Sequence, residues 1–341
     1  MTKTKEIVFT ICPVVAASHV ALSKGFLKEE LGKVGVTPKY LYSLDSSNWI
    51  SHFKHTLPNS FRDGGNIPAI WTKSNGTKIK LIGLTYSNAG GQILVRTDSE
   101  IYRVADLKGK KFGLSKRILE DRVDFWRITG HRGILVAAEL AGLKPNDFKI
   151  VDLPVDGTGY DSLEPVASPE LRFKNHHSSS LYKAEVEALL SGKVDAIYSN
   201  HGAAAVLTAT GKVKSIEDFS RRPDWTLQVA NSPYTIAVNE DLAKNQPEVV
   251  VAYLKAAVKA GRWINENPEA AAEIFTKVTS FSDPKVVAKL LKKLDLVPSL
   301  SEKNITGIEI EKKFLLDHGY IKNDFDAREW ADDSFLKEAL A

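Results

Sequence analysis

The sequence predicts an α/β fold of two lobes with a ligand cleft between them. Three observations carry this. Strand-like and helix-like patterns alternate along nearly all of the 341 residues, the signature of α/β layers. A chain of that length usually fills more than one core. Two segments, GGQILVRTDSE at 90–100 and ANSPYTIAVNEDL at 230–242, look like crossovers between domains. If both cross, residues 1–95 plus 233–341 form lobe I around an inserted lobe II at 96–232. A ligand would then bind between the lobes, the usual place for such a site.

The elements follow from apolar runs and turn residues. Strands are expected at 5–11, 36–42, 78–84, 91–97, 110–114, 148–152, 194–199 and 233–239. Helices are expected at 16–31, 47–55, 132–141, 181–191, 247–266, 268–278, 284–294 and 308–318. The stretch from His52 to Gly65 is rich in Gly and Pro and reads as a long loop that orders with ligand. No internal repeat appears.

Composition narrows the class. Hydrophobic residues at 43% and charged residues at 26% are ordinary soluble-globular values. The formal charge of +4 is mild and the lysines are spread along helices, which argues against nucleic acid and offers no membrane-binding patch. The N-terminal run MTKTKEIVFTICPVV is short and interrupted, so neither a secretory signal nor a membrane span is expected. A single cysteine excludes an internal disulfide and suits a reducing cytoplasm.

That cysteine, Cys12, sits where the run KEIVFTI breaks at Pro13 and a helical pattern begins. A thiol at such a turn lies near the positive end of a helix, which favours thiolate. His52 lies on an amphipathic stretch with Trp49 and Phe53, either of which could pack on an aromatic ring. With His55 it forms H-x-x-H, but no carboxylate or cysteine ligand set accompanies the pair, so no metal is expected. Thr10, two residues before the cysteine, should point to the same side of a strand. Ser115 reads as the start of a helical stretch after GKKFGLS, a place to hold an anion on N–H groups. Tyr198, Ser199 and Asn200 end an expected strand in lobe II and would line the cleft. DGTGYD at 156–161 does not match G-x-G-x-x-G and implies no nucleotide.

ADLKGKKFGLS, AAELAGLKPNDFKIVDLP, EALLSGKVDAIYS and YTIAVNEDLAKNQPEVV resemble the type II periplasmic-binding-protein fold of the sulfonate, taurine and nitrate binders, over nearly the full length. Within that superfamily the N-terminal third is most similar to the aryl-sulfinate desulfinases. Those enzymes end the sulfur-specific degradation of dibenzothiophene and act on 2′-hydroxybiphenyl-2-sulfinate. TICPVVAASHVALSKGFL matches the family's cysteine turn. SHFKHTLPNSFRDGGNIPAIW matches its His-Phe, Arg-x-Gly-Gly and Ile-Pro elements at the same spacing. The resemblance places the nucleophilic cysteine at Cys12, the histidine at His52, the arginine at Arg62 and the glycine facing the sulfinate at Gly65. Two departures bear on the aryl group. The family's tryptophan pair falls on Asn200-His201-Gly202-Ala203-Ala204, and the helix that supplies an indole reads ITGHRGILV, with His131 near that place.

The chemistry suits these residues. Arginine's planar fork can pair with both oxygens of a sulfinate and stays charged. Gly64-Gly65 lets backbone N–H groups approach the same oxygens. His52 accepts the thiol proton or holds a thiolate, then handles a proton on water. Two routes remain open: attack of Cys12 thiolate on sulfur, or proton delivery from Cys12 to the ring carbon with loss of sulfur dioxide. Either uses water as co-substrate and no cofactor, with a small-molecule aryl sulfinate as partner. The oligomeric state is not readable. The rival is a non-catalytic solute-binding protein that delivers a sulfonate to a transporter. A pyrimidine-precursor synthase of the same fold is disfavoured, since that family uses a cysteine-rich patch.

Overall fold

Two five-stranded sheets organise the chain, and each contains one strand running against the others. The computed structural model describes residues 4–86, 90–117, 122–155, 164–176 and 183–341. The first stretch supplies β1 (Glu6–Ile11), β2 (Thr37–Tyr40), β3 (Ser60–Gly64) and β4 (Ile79–Thr85). The middle supplies β5 (Gln92–Arg96), β6 (Lys111–Arg117), β7 (Lys149–Val155), β8 (Ala196–Ser199) and β9 (Val213–Asp218), and the return supplies β10 (Tyr234–Asn239). The chain divides into two compact units, Met1–Ser87 with Tyr160–His177 and Asn231–Ala341, and Asn88–Gly159 with Ser178–Ala230.

The first unit holds the sheet β2-β1-β3-β10-β4, parallel except for β10. Parallel strands need both faces covered and read as nearly continuous apolar runs, and β1 (EIVFTI) and β4 (IKLIGLT) do so. The helix Pro247–Glu266 buries Val250, Leu254, Ala257 and Gly261 along one stripe, the three-to-four-residue spacing of a core-facing helix. The second unit holds β7-β6-β8-β5-β9, with β5 antiparallel to both neighbours. Its core gathers Ile93, Val95, Phe112, Leu114, Ile134 and Phe148. The two antiparallel strands, β5 and β10, lie in the two segments read as crossovers.

Several elements differ from expectation. β5 belongs to the second sheet, and residues 160–177 join the first unit. The helix expected over 16–31 is two, Ala17–Ser23 and Phe26–Lys33, parted at Gly25 with φ 76°. The expected loop from His52 to Gly65 contains the fully buried strand β3. The polar strand β9 and the helices Asn66–Ser74, Pro169–His176 and His201–Ala209 were not anticipated. No helix among the described residues is long and apolar enough to cross a membrane.

Candidate active site

β1 lies between β2 and β3, so the chain leaves β1 toward one side and returns on the other. In open parallel sheets such a reversal opens a crevice at the carboxyl ends of the strands. Cys12 follows β1 there, and Gly64 ends β3. The parallel register pairs Thr10 with Arg62 and Ile11 with Asp63, and the Cys12 N–H continues the ladder to the Asp63 carbonyl at 2.8 Å. Because side chains alternate along a strand, Thr10, Cys12, Arg62 and Gly64 share one face.

Three side chains converge there from distant positions. Cys12 Sγ lies 3.4 Å from His52 Nε2 and 3.4 Å from Arg62 Nη2, with sequence separations of 40 and 50 residues. His52 Nδ1 is 2.7 Å from Thr10 Oγ1, so both ring nitrogens are engaged and the imidazole is fixed in plane. With the proton on Nε2 the ring donates to sulfur; with the proton on Nδ1 it donates to Thr10 and accepts from the thiol. In a thiolate–imidazolium pair both ring nitrogens carry hydrogen and both donate. Arg62 donates from Nε to the His52 carbonyl and from Nη1 to the Gly65 carbonyl, each at 2.8 Å. Three of its five N–H donors therefore hold the protein, leaving one hydrogen each on Nη1 and Nη2. The side chain is 1% exposed, so its charge acts in a weakly screened setting.

The glycine turn fits around the sulfur. Gly64 has φ 154°, and a Cβ there would lie 2.2 Å from Cys12 Sγ. At Gly65 a Cβ would meet the Asn231 amide at 2.3 Å. Asn231 in turn caps the helix Asn66–Ser74: its carbonyl accepts from Asn66 N–H at 3.3 Å and its Oδ1 from Ile67 N–H at 2.9 Å.

Buried titratable groups surround the trio. His19 Nε2 lies 2.8 Å from the Cys12 carbonyl, and burial pulls its pKa down to about 4 despite that bond. The ring is neutral at pH 7 and donates its Nε2 hydrogen. His55 is lowered to about 3, by burial first and then by the Arg62 charge. Asp63 rises to about 6 because burial outweighs the Ser18 hydroxyl bond and the Arg62 charge; Ser18 Oγ donates to its Oδ2.

Comparison with known proteins finds chains similar to this one over nearly its whole length. A 2′-hydroxybiphenyl-2-sulfinate desulfinase of Rhodococcus erythropolis is 26% identical over 354 residues, spanning 97% of this chain and 93% of its own. The chain is similar to the desulfinases from end to end. The crystal structure of the desulfurization enzyme DSZB superposes with TM-score 0.75 at 23% identity, covering 98% of this chain and 99% of that one. A cysteine-to-serine variant of DSZB in complex with biphenyl-2-sulfinic acid gives 0.73 at 23%, covering 98% of both chains. The periplasmic aliphatic sulphonate binding protein SsuA of Escherichia coli gives 0.66 at 14%, over 97% and 93%. Residues 179–271 match the family model described as NMT1/THI5 like. The fold is thus the two-lobed α/β fold of the periplasmic binding proteins.

Against the desulfinase pattern, the structure brings Cys12, His52, Arg62, Gly64, Gly65 and Thr10 together. The helix after Cys12 starts only at Ala17, so guanidinium and imidazole, rather than a helix end, touch the sulfur. Trp49 is buried with its indole N–H donating to the Leu44 carbonyl at 3.0 Å. Phe53 is buried edge-on to the His52 ring at 4.9 Å.

Ser115, Tyr198, Asn200 and His131 belong to the second unit. Ser115 is a correction: it lies within β6, not at a helix start, and its N–H donates to Glu185 Oε1 at 3.2 Å. The strand simply continues through Arg117, as the alternation FGLSKR allows. Tyr198 is core, packed on Gly91 and Gly133. Asn200 follows β8 and caps His201–Ala209, its side chain accepting from Ala203 N–H at 2.9 Å. His131 is half-buried on the helix Phe125–Leu140. DGTGYD at 156–161 lies outside the described residues. No group of three or more His, Cys, Asp or Glu among the described residues is placed to hold a metal ion.

The sequence reading missed the pocket wall. A small solvent-open pocket is lined by His19, Tyr40, Tyr42, His52, Arg172 and Phe173, among others. The aromatic pair of KYLYS was the readable signal, although β2 ends at Tyr40 and Tyr42 lies in the 3-10 turn Leu41–Ser43; Arg172 gave none.

Proposed function

We propose that this protein is an aryl-sulfinate desulfinase that hydrolyses the C–S bond of 2′-hydroxybiphenyl-2-sulfinate or a related aryl sulfinate. The observation that carries the reading is the sulfur of Cys12 held at 3.4 Å from both an imidazole and a guanidinium in a chain similar to the desulfinases over 97% of its length. A sulfonate binder has no use for a nucleophile so equipped.

The overall reaction adds water: aryl sulfinate and water give arene and bisulfite. On the nucleophilic route, Cys12 thiolate attacks the sulfinate sulfur and the carbon–sulfur bond breaks. The aryl carbon takes a proton from His52, leaving a cysteine-bound SO₂ group. Water then captures that group as bisulfite, its other proton returns to His52, and the thiolate is freed. On the acid route, Cys12 protonates the ring carbon, sulfur dioxide departs, and its hydration returns the proton. Arg62 serves both, because its two remaining N–H groups and its charge stabilise negative charge on sulfur and oxygen. Of its other three donors, two hold the His52 backbone and the glycine turn in place and the third meets Cys12 Sγ. Thr10 orients the imidazole through its contact with Nδ1. Water is the co-substrate, and no step calls for a cofactor. A sole cysteine suits a reducing compartment, and we place the protein in the cytoplasm.

The test is sulfite release from 2′-hydroxybiphenyl-2-sulfinate by wild type and Cys12→Ser. Wild type should turn over and the serine variant should be inactive, because a serine hydroxyl is hardly ionised near neutrality. The second reading, a sulfonate-binding protein, rests on the likeness to SsuA. It prevails if no sulfite is released while an alkanesulfonate binds equally to both proteins.

A further inference from the structure

Asn231, far along the chain, holds the glycine turn beside the sulfur. Its carbonyl accepts from Asn66 N–H at 3.3 Å and its Oδ1 from Ile67 N–H at 2.9 Å. Its carboxamide packs on Gly65, with Nδ2 2.3 Å and Oδ1 2.4 Å from where a Cβ would stand. Asn231 is itself held, its N–H donating at 2.8 Å to Oε2 of the fully buried Glu311. Its φ of 58° lies in the left-handed region, which asparagine adopts more readily than most residues with a Cβ.

That clamp decides which donors remain at the start of the helix Asn66–Ser74. Asn231 takes the first two N–H groups, and Pro68 has none. The N–H of Gly65, just before them, meets no acceptor among the described residues. Its direction follows from the trans peptide that bears it. The carbonyl of that peptide, on Gly64, accepts from Thr235 Oγ1 at 3.3 Å, on the β10 side of β3. In a planar trans peptide N–H and C=O point opposite ways. The Gly65 N–H therefore points to the β1 side of β3, where Cys12 follows β1. Gly64, at the other end of the same peptide, is the residue packed against Cys12 Sγ.

We propose that Asn231 is a positioning residue for the desulfination. It withdraws the Asn66 and Ile67 N–H groups from the anion and aims the Gly65 N–H at a sulfinate oxygen, beside the remaining hydrogens of Arg62. Arg62 Nη1 donates to the Gly65 carbonyl at 2.8 Å, so guanidinium and carboxamide grip the same residue. Asn231 acts through Gly65 and not by contact with the reacting atoms. The inference rests on the desulfinase reading for its reaction but not for anion binding.

The test compares Asn231→Gly and Asn231→Asp with wild type on 2′-hydroxybiphenyl-2-sulfinate. Glycine accepts φ 58° and keeps the backbone bonds to Asn66 and Glu311, so only the carboxamide is lost. Aspartate keeps the Oδ1 acceptor and the side-chain shape. Asn231→Gly should lose about tenfold or more in kcat/KM, mostly in kcat, since small misplacements near reacting atoms are amplified in rate. Its Tm should move little, because glycine is a tolerated cap. Asn231→Asp should restore kcat to within about threefold of wild type but show a raised KM, because its added charge lies near the bound anion. Asn231→Gly with wild-type kcat overturns the proposal, and so does Asn231→Asp as slow as Asn231→Gly. Binding of biphenyl-2-sulfinate is titrated calorimetrically against Cys12→Ser and Cys12→Ser/Asn231→Gly. The double variant should bind about fivefold or more weakly, having lost a charge-assisted hydrogen bond, and equal binding overturns the aiming of Gly65. If wild type releases no sulfite the desulfinase reading fails, and this binding ratio alone decides the role of Asn231.

Discussion

Replacing Gly64 by alanine is the sharpest probe of the site, because the geometry dictates where the damage falls. The new Cβ would stand 2.2 Å from Cys12 Sγ and 2.5 Å from its Cβ. An unstrained contact needs about 3.5 Å, so the sulfur must retreat by more than 1 Å. That retreat breaks one or both of the 3.4 Å contacts to His52 and Arg62. A misplacement of about 1 Å at a reacting atom costs on the order of 100-fold in rate, or about 2.7 kcal/mol. The backbone adds its own penalty: φ 154° is open to glycine and strained for alanine, at about 1–3 kcal/mol of stability. The assay is kcat/KM by sulfite release on folded protein, with Tm measured alongside. Gly65→Ala is the control, since its Cβ strikes the Asn231 amide and not the sulfur; it should lose less activity. A Gly64→Ala protein within threefold of wild type at unchanged Tm would refute the placement of the sulfur against the turn.

Arg62→Lys keeps the charge but cannot reach His52 O, Gly65 O and Cys12 Sγ together. Transition-state binding should weaken by about 1.5–3 kcal/mol, and unchanged catalytic efficiency would place the arginine outside the chemistry. Thr10→Val removes the partner of His52 Nδ1 and should lower kcat by about tenfold, a part of the general acid–base contribution, whereas Thr10→Ser should retain most of it. Stability should fall as pH drops below 6.5. His19 and His55 titrate near 4 and near 3 when folded against 6.5 otherwise, so unfolding takes up two protons between pH 6 and 4. Asp63, raised from 3.8 to about 6, opposes them, because its contribution is present at low pH and lost as pH rises through about 6. The three together leave a net uptake of one proton, about 1.4 kcal/mol per pH unit. Denaturant titrations of Asp63→Asn from pH 6.5 to 4 should show a slope steeper by one proton, and an unaltered slope would mean that this carboxyl titrates normally.

Much of the fold was legible because most of its strands, the outer β2, β7 and β9 excepted, are buried on both faces. β1, β4, β5, β8 and β10 read as apolar runs, and the helix Pro247–Glu266 shows its stripe plainly. The return of residues 160–177 to the first unit was invisible for the opposite reason: it has no periodic signal of its own. Arg172 owes its place to packing on Tyr42, 130 positions earlier, and nothing near it in sequence marks a pocket arginine. Cys12, His52 and Arg62 were legible only as a set matched to a family's spacing. Composition says nothing about which lone cysteine meets which histidine.

β3 is the informative failure. SFRDG holds one strong strand former among five residues, and its Arg-Asp-Gly reads as a turn, yet all five positions are buried. Each is held by a contact outside the strand. Ser60 Oγ donates to the Leu57 carbonyl at 2.8 Å, and Phe61 stacks on Tyr253 at 4.1 Å. Arg62 braces the sulfur, Asp63 receives the Ser18 hydroxyl, and Gly64 leaves room for Cys12. Local preference is overridden where chemistry sits, as expected of functional sites. The consequence is mechanical. The guanidinium stands on a strand flanked on both sides rather than on a loop, so its three anchoring bonds exist before substrate arrives. Ordering by ligand is therefore unnecessary for the anion-stabilising half of the site, and catalysis there draws on preorganisation.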